Sequence, residues 1–264
     1  MTANEFQGLT GKGQEAPRSI NRILRLLDCL GQSHAGASLT ELAQELEMPK
    51  SSLLVLLRGL QESHHVTTKD RKYWLGMAAF DLGLRLLSAR PGSEVMRQGM
   101  RELWEKSQET AVITTIDHAQ HIVTYQDAME SVLSVRYTVQ LGRTRPLYCT
   151  AAGQALLAFQ DEGYREHYLR TVKLVQQTES TITDVGLLRE KLARVREEGL
   201  AVSVAEAIRN SIGVAAPIRR KDGTVEQALL VAGPADRMEE RLAALRPVVL
   251  DVAARVSALM AHAN

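Results

Sequence analysis

Within residues 19–75 the chain fits three short helical periods and a hairpin pattern, an order that few folds accommodate in so little length. From Ser19 the apolar residues Ile20, Ile23, Leu24, Leu27 and Leu30 recur at helical spacing, with Asn21, Arg22, Arg25 and Asp28 on the other side. Ser38 stands three residues before Glu41, the spacing of a capping box, and Leu42, Ala43 and Leu46 give a second short helix its apolar side. Glu47 and Met48 form a turn, and Pro49 suits the first position of a third helix, where its missing N–H is not needed. Leu53, Leu56, Leu57 and Leu60 are the inward stripe of that helix, while Lys50, Ser51, Ser52, Leu54, Val55 and Arg58 face out. Two β-rich runs, 66–68 and 73–75, flank the polar turn Lys69-Asp70-Arg71-Lys72. Three helices closed by a small hairpin make a winged helix-turn-helix.

In that arrangement the third helix is held clear of the domain core and can enter a DNA major groove, where base edges carry a readable donor and acceptor pattern. Lys50, Ser51 and Ser52 at its start have the chemistry to hold phosphates, helped by free N–H groups and the positive end of the helix dipole. Ser19, Arg22 and Thr40, together with Arg58, Arg71 and Lys72, complete the expected DNA-contacting set. Leu54 and Val55 stand where hydrogen-bonding side chains are more usual, and both thymine methyl groups and a partner surface are open to them. From Arg18 to Lys72 there are eight Lys/Arg against six Asp/Glu, and the whole chain carries +1, so charge alone does not mark a DNA binder.

The 264 residues exceed what one core usually holds. Helical periodicity resumes over 76–87 and stops at the breaker pair Pro91-Gly92. The expected division is a disordered tail 1–17, the winged helix-turn-helix 18–76, a connecting helix 77–92 and a second domain 93–264. The second domain reads as a helix over 95–107, strands at 111–116, 122–126 and 131–139, and helices at 150–158, 161–169 and 184–198. Strands at 200–204, 212–218 and 225–231 follow, then a terminal helical region 238–261 that Pro247 is expected to kink or divide. Strands and helices do not alternate regularly, so the fold class is α+β, with helices packed on an antiparallel sheet.

Several classes are excluded. The two cysteines, Cys29 and Cys149, make no disulfide framework, and neither a signal peptide nor a bilayer-length apolar run occurs, so a cytoplasmic location without a membrane partner is expected. Cys149 is the one candidate nucleophile of the second domain, and no histidine motif accompanies it. His64, His65, His118 and His121 do not form a ligand set, and no glycine-rich phosphate loop is present. No catalysis, metal or cofactor is expected.

Three segments carry a resemblance: Ser38-Leu39-Thr40-Glu41-Leu42-Ala43 running to Met48-Pro49-Lys50-Ser51-Ser52, the wing end Tyr73-Trp74-Leu75-Gly76, and 146–157 with Gly233-Pro234. In order and separation they resemble the IclR family of bacterial transcription regulators, from Ser19 to the last helix. The resemblance implies a GAF-like α/β ligand-binding second domain, a homodimer or tetramer, a double-stranded DNA operator and a small-molecule effector, frequently a carboxylate or aromatic compound from a catabolic pathway. It also implies effector-lining positions at Ala151, Ala152, Ser203, Ser211, Gly213, Leu230 and Ala232. To these the residues themselves add Arg136, as a carboxylate partner, with Tyr137 and Tyr148.

The departures are specific. Leu54 and Val55 replace the His or Tyr followed by Arg that the family usually shows on this helix, and His64-His65 stand where it favours glycine. Members that bind small keto acids carry an acid near Ser203, a polar or sulfur residue near Gly213 and serines near Leu230 and Ala232; here these positions are smaller or apolar. Such a pocket favours an effector with more apolar surface, because a bare carboxylate would lose hydrogen bonds it had in water. The competing reading is an interaction module whose winged helix serves dimerisation.

Overall fold

A computed structural model describes residues 18–33, 35–88 and 92–262. The expected tail 1–17 and Pro91 of the breaker pair lie outside the described residues. The chain divides into two compact units, Met1–Ala89 and Arg90–Asn264.

The first unit runs α1 (Arg18–Gln32), β1 (Ala37–Ser38), α2 (Leu39–Glu45), α3 (Lys50–Glu62), β2 (Val66–Lys69), β3 (Lys72–Leu75) and α4 (Met77–Ser88). The capping box forms: the Ser38 hydroxyl accepts from the Glu41 N–H, and the Glu41 carboxylate accepts from the Ser38 N–H. The extended backbone of Ser38 lets Ala37–Ser38 join the hairpin as a third strand, order β1-β3-β2, which two residues are too short to announce by period. Pro49 sits one place earlier than expected, as the N-cap of α3. Leu26, Leu30, Leu42, Leu46, Leu53, Leu57 and Val66 form the core.

The inward face of α1 differs from the expected one. Leu26 is fully buried, whereas Ile20 and Leu24 are 50% and 61% exposed. Ile20 and Leu24 lie at one margin of the single broad apolar side that Ile23, Leu27 and Leu30 share, and the core takes the other margin, at Leu26 and Leu30.

At the hairpin tip Lys69 pairs with Lys72, leaving Asp70 and Arg71 as a two-residue loop. Both have positive φ, 52° and 62°, as a type I′ turn requires. At the other end of the hairpin a Cβ on Gly76 would stand 2.2 Å from the His64 carbonyl oxygen, so only glycine fits. His64 itself adopts φ 58°, the left-handed conformation that a glycine would take more easily.

The second unit runs α5 (Ser93–Ser107), β4 (Thr110–Asp117), β5 (Ile122–Met129), β6 (Thr144–Pro146), α6 (Ala151–Ala158), α7 (Glu162–Thr171), α8 (Val185–Glu198), β7 (Ala201–Val204), β8 (Ser211–Arg219), β9 (Val225–Pro234) and α9 (Ala235–His262). The strands form one sheet, order β6-β5-β4-β9-β8-β7, with every neighbouring pair antiparallel. Alternate residues feed two cores. Val112, Ala215, Ala228 and Leu230 pack with residues of α6, α7 and α8, while Ala111, Ile113, Val214, Ala216, Leu229 and Val231 pack with those of α5 and α9. Burial on both faces explains why β8 and β9 read as continuous apolar runs.

Two expectations are corrected. Residues 131–139 are not a strand; the third strand is Thr144–Pro146, which pairs with β5 through Val123 and Arg145. Side chains satisfy the 131–139 backbone instead: Ser131 N–H donates to Thr110 Oγ1, and Val139 N–H donates to the Glu130 carboxylate. Pro247 does not divide the last helix, which runs unbroken from Ala235 to His262. Pro247 lies on the exposed side, as does Ala243 four residues earlier, so the carbonyl it frees faces water, while Leu245, Val249, Val252 and Val256 hold the helix to the sheet. Among the described residues no helix is long and apolar enough to cross a membrane.

Candidate functional site

In the first unit Leu53 and Leu57 are wholly buried and fix α3 by one face. Its other face presents Lys50, Ser51, Ser52, Val55 and Arg58 to solvent, with Val55 68% exposed and Leu54 half-buried at the edge. Lys50 Nζ donates to Thr40 Oγ1 at 2.9 Å, so the starts of α2 and α3 are tied together and offer a cation and a hydroxyl side by side. Ser19, Arg22 and Arg71 are also exposed. At the hairpin the Lys72 ammonium donates to the Ala35 carbonyl at 3.2 Å, and Arg71 stands at the tip. A groove of about 580 Å³ beside α1 and α2 is lined by Arg25, Asp28, Glu41, Glu45 and Lys72, a mixture of charges that favours no one ligand class.

In the second unit strand register builds a cavity. Ser203 pairs with Gly213, Gly213 with Ala232, and Ala232 with Thr110, so these residues form a row across four strands. Ser211 and Leu230 lie two residues along on the same face. The start of α6 stands over the row: a Cβ on Gly213 would come within 3.2 Å of the Ala151 Cβ and of Leu230 Cδ1. Thr150 caps α6, its hydroxyl accepting from the Gly153 N–H. Tyr137 reaches in from the 131–139 segment, held by the bond from Thr110 Oγ1 to its carbonyl at 2.6 Å, and its hydroxyl lies 3.3 Å from that of Tyr125. The free volume is about 30 Å³, room for about two waters.

The structure thus gathers Tyr137, Ala151, Ser203, Ser211, Gly213, Leu230 and Ala232 around one cavity and adds Tyr125, Thr150, Ala207 and Ile212. Three expected residues lie elsewhere. Arg136 is exposed and paired with Glu130 at 3.0 Å. Tyr148 is buried in the core, donating to the Val175 carbonyl at 2.6 Å, and Ala152 is buried in the same core cluster. Alternation in β5 marks Tyr125 as inward, and Thr150 is legible as a helix cap; Ala207 and Ile212 carry no comparable signal.

Behind α6 lies a buried polar group. Gln154 donates to the Tyr148 carbonyl and to Glu206, and Lys191 approaches Glu206 at 3.4 Å. Burial pushes the Glu206 carboxyl above its ordinary range, against the opposing pull of Lys191 and Gln154. A raised folded-state value means that the folded chain holds this proton more tightly than the unfolded chain, so its contribution to stability falls as pH rises above the usual glutamate value. Glu206→Gln removes that titration. In urea unfolding its stability relative to the parent should improve between pH 5 and pH 8; a constant difference across that range would contradict the assignment.

Burial, then Glu206, raises the Cys149 thiol to about 11, the opposite of what a nucleophile needs. Burial likewise lifts the Tyr125 phenol well above the usual tyrosine range.

Residues 86–258 match the family described as bacterial transcriptional regulator IclR C-terminal, and residues 19–69 match the IclR helix-turn-helix domain. The HTH-type transcriptional regulator BhcR of Paracoccus denitrificans is 30% identical over 260 residues, covering 96% of this chain and 91% of that protein. A putative transcriptional regulator from Rhodococcus sp. RHA1 has the same fold, with a TM-score of 0.85 at 24% identity over 94% of this chain and all of the other. So does an IclR homologue complexed with 4-hydroxybenzoate from Microbacterium hydrocarbonoxydans, with a TM-score of 0.82 at 20% identity over 92% of this chain and 98% of the other. The family consists of regulators, not enzymes, and its helix-turn-helix supports DNA binding over the interaction-module reading. With both parts matched in order over most of its length, the chain belongs to the IclR family of bacterial transcription regulators, with an N-terminal helix-turn-helix and a C-terminal ligand-binding domain.

Proposed function

We propose that residues 18–76 grip an operator through α3, that residues 93–264 hold an effector of aromatic or otherwise apolar character in the Tyr137–Gly213 cavity, and that the segment 77–92 couples the two. The observation that carries the DNA half is the anchoring of α3 by Leu53 and Leu57, which leaves Ser51, Ser52 and Arg58 exposed, with Lys50 exposed beside Thr40. Ligand shifts the population of DNA-competent states, and by linkage DNA shifts ligand affinity by the same factor. Lys50→Ala should weaken binding uniformly across sequences and reduce the slope of log K against log salt by ~1 per bound subunit. Fluorescence anisotropy at several potassium chloride concentrations checks this; an unchanged slope would take Lys50 off the phosphates.

A homodimer, or a pair of dimers, fits the surface of the first unit. Ile20 and Leu24 on α1 and Met77, Phe80, Leu84 and Leu86 on α4 are each at least half exposed, more apolar area than isolated surface residues explain.

The walls Ala151, Gly213, Leu230 and Ala232 offer no side-chain donor, which supports an effector with an apolar body. Admission requires the space to enlarge, and Tyr137 on the strandless 131–139 segment is the wall best placed to move. A thermal-shift screen tests the reading, since a ligand of the folded state raises the melting temperature. Aromatic acids, 4-hydroxybenzoate among them, should stabilise the full chain more than pyruvate does. A response confined to small keto acids would overturn it.

A further inference from the structure

Helix α3 turns one line of residues straight away from the core that Leu53, Leu57 and Leu60 hold. Ser51, Val55, Arg58 and Glu62, at i, i+4, i+7 and i+11, make that line, and all four are exposed. Val55 sits near its middle, 68% exposed, about 6 Å along the axis from Ser51 and about 4.5 Å from Arg58. A Cβ on Gly59, one turn further, would meet no atom within 4 Å, so among the described residues the surface beside Val55 is open there. Leu54, about 100° round the helix, is half-buried and stands off the line.

The neighbours of Val55 point to what it faces. The core of a protein interface is apolar and poor in serine, and the exposed apolar residues of α1 and α4 have apolar companions, Ile20 with Leu24 and Phe80 with Leu84. Val55 stands instead among Ser51, Ser52, Arg58 and Gly59, groups suited to phosphates or to close approach of a backbone. Valine neither donates nor accepts a hydrogen bond. Set against the amino or carbonyl edge of a base, it would strip water from a polar group and return nothing. Of the groups that base pairs show in the major groove, the thymine C5 methyl is the apolar one. We propose that Val55 is a specificity-determining residue, which selects a thymine in each operator half-site by packing on its C5 methyl group. This rests on the reading of α3 as the groove-entering helix and goes beyond it by naming the base, the group on that base and the side chain that reads it.

The operator half-site is first obtained by selection from a randomised duplex pool with the full chain. Each thymine of the selected site is then replaced singly by deoxyuridine, which keeps the pairing and every hydrogen-bonding group and removes only the methyl. Affinity is read by fluorescence anisotropy. At one thymine position the replacement should weaken binding about fourfold when made in one half-site and about fifteenfold when made in both, the loss expected for one buried methyl per subunit. Val55→Ala should erase the difference between the thymine and deoxyuridine duplexes at that position, a coupling that a structural role would not give. The variant should melt with the parent, because the side chain is exposed. Deoxyuridine without effect at every position, with sequence preference retained, would overturn the proposal and leave α3 as the reading helix. A loss that persists in Val55→Ala would place the methyl against another side chain or in the shape of the duplex, and overturns it too. So would a Val55→Ala variant that changes its association state while the thymine preference stays, which assigns Val55 to a partner subunit. If no sequence is enriched, the proposal and the reading of α3 fall together.

Discussion

Leu57→Ala is expected to lower the melting of the first unit by roughly 10–25 °C and to remove operator binding, while the second unit melts as before. Leu57 is fully buried in a core of few residues, where it and Leu53 hold α3 to α1 and α2. A leucine-to-alanine change at such a site costs ~2–5 kcal/mol, against a total of roughly 4–10 kcal/mol for a domain of this size. The second unit has separate cores on the two faces of its sheet, and neither includes a residue of the first unit. Differential scanning calorimetry of the variant should therefore show one transition displaced and one retained. A joint shift of both would mean that the two units unfold as one.

The second large effect is expected on α4. Phe80 and Leu84 are 54% and 62% exposed and lie four residues apart, on one face of the helix. In a twofold-symmetric dimer each substitution is made twice. Burying a side chain of this kind is worth ~1.5–3 kcal/mol, so even one replacement by glutamate should weaken association by about 10²–10⁴. Phe80→Glu with Leu84→Glu should give a monomer by sedimentation equilibrium and reduce operator affinity at least in proportion, because a lone winged helix reads only a half-site. An unchanged dimer would assign the apolar face of α4 to some other partner.

What the sequence made legible was mostly local or periodic. The Ser38–Glu41 capping box and the α3 stripe through Leu53 and Leu57 depend on residues a few positions apart, and both formed. The row Ser203, Gly213 and Ala232 came from the family pattern, and strand register gives its physical basis, since all three sit at paired positions on one face. Errors arose where the partner is distant. Alternation at 131–139 cannot say whether a strand is available to pair with, and Glu130 and Thr110 took those backbone groups instead. Arg136 looked free for a ligand until the fold set Glu130 beside it. The apolar side of α1 was visible, but which margin of it faces the core was decided by α2 and α3.

Operator recognition requires that α3 project into a duplex groove and read it. The most direct measurement is a titration of the full chain against the DNA upstream of its own gene and against a scrambled duplex of equal length, from 50 to 200 mM potassium chloride. Binding should be saturable, prefer the native sequence by ~10³ or more and weaken by ~10³–10⁵ over that salt range as phosphate counterions are released. Equal affinity for the two duplexes, or binding indifferent to salt, would contradict it.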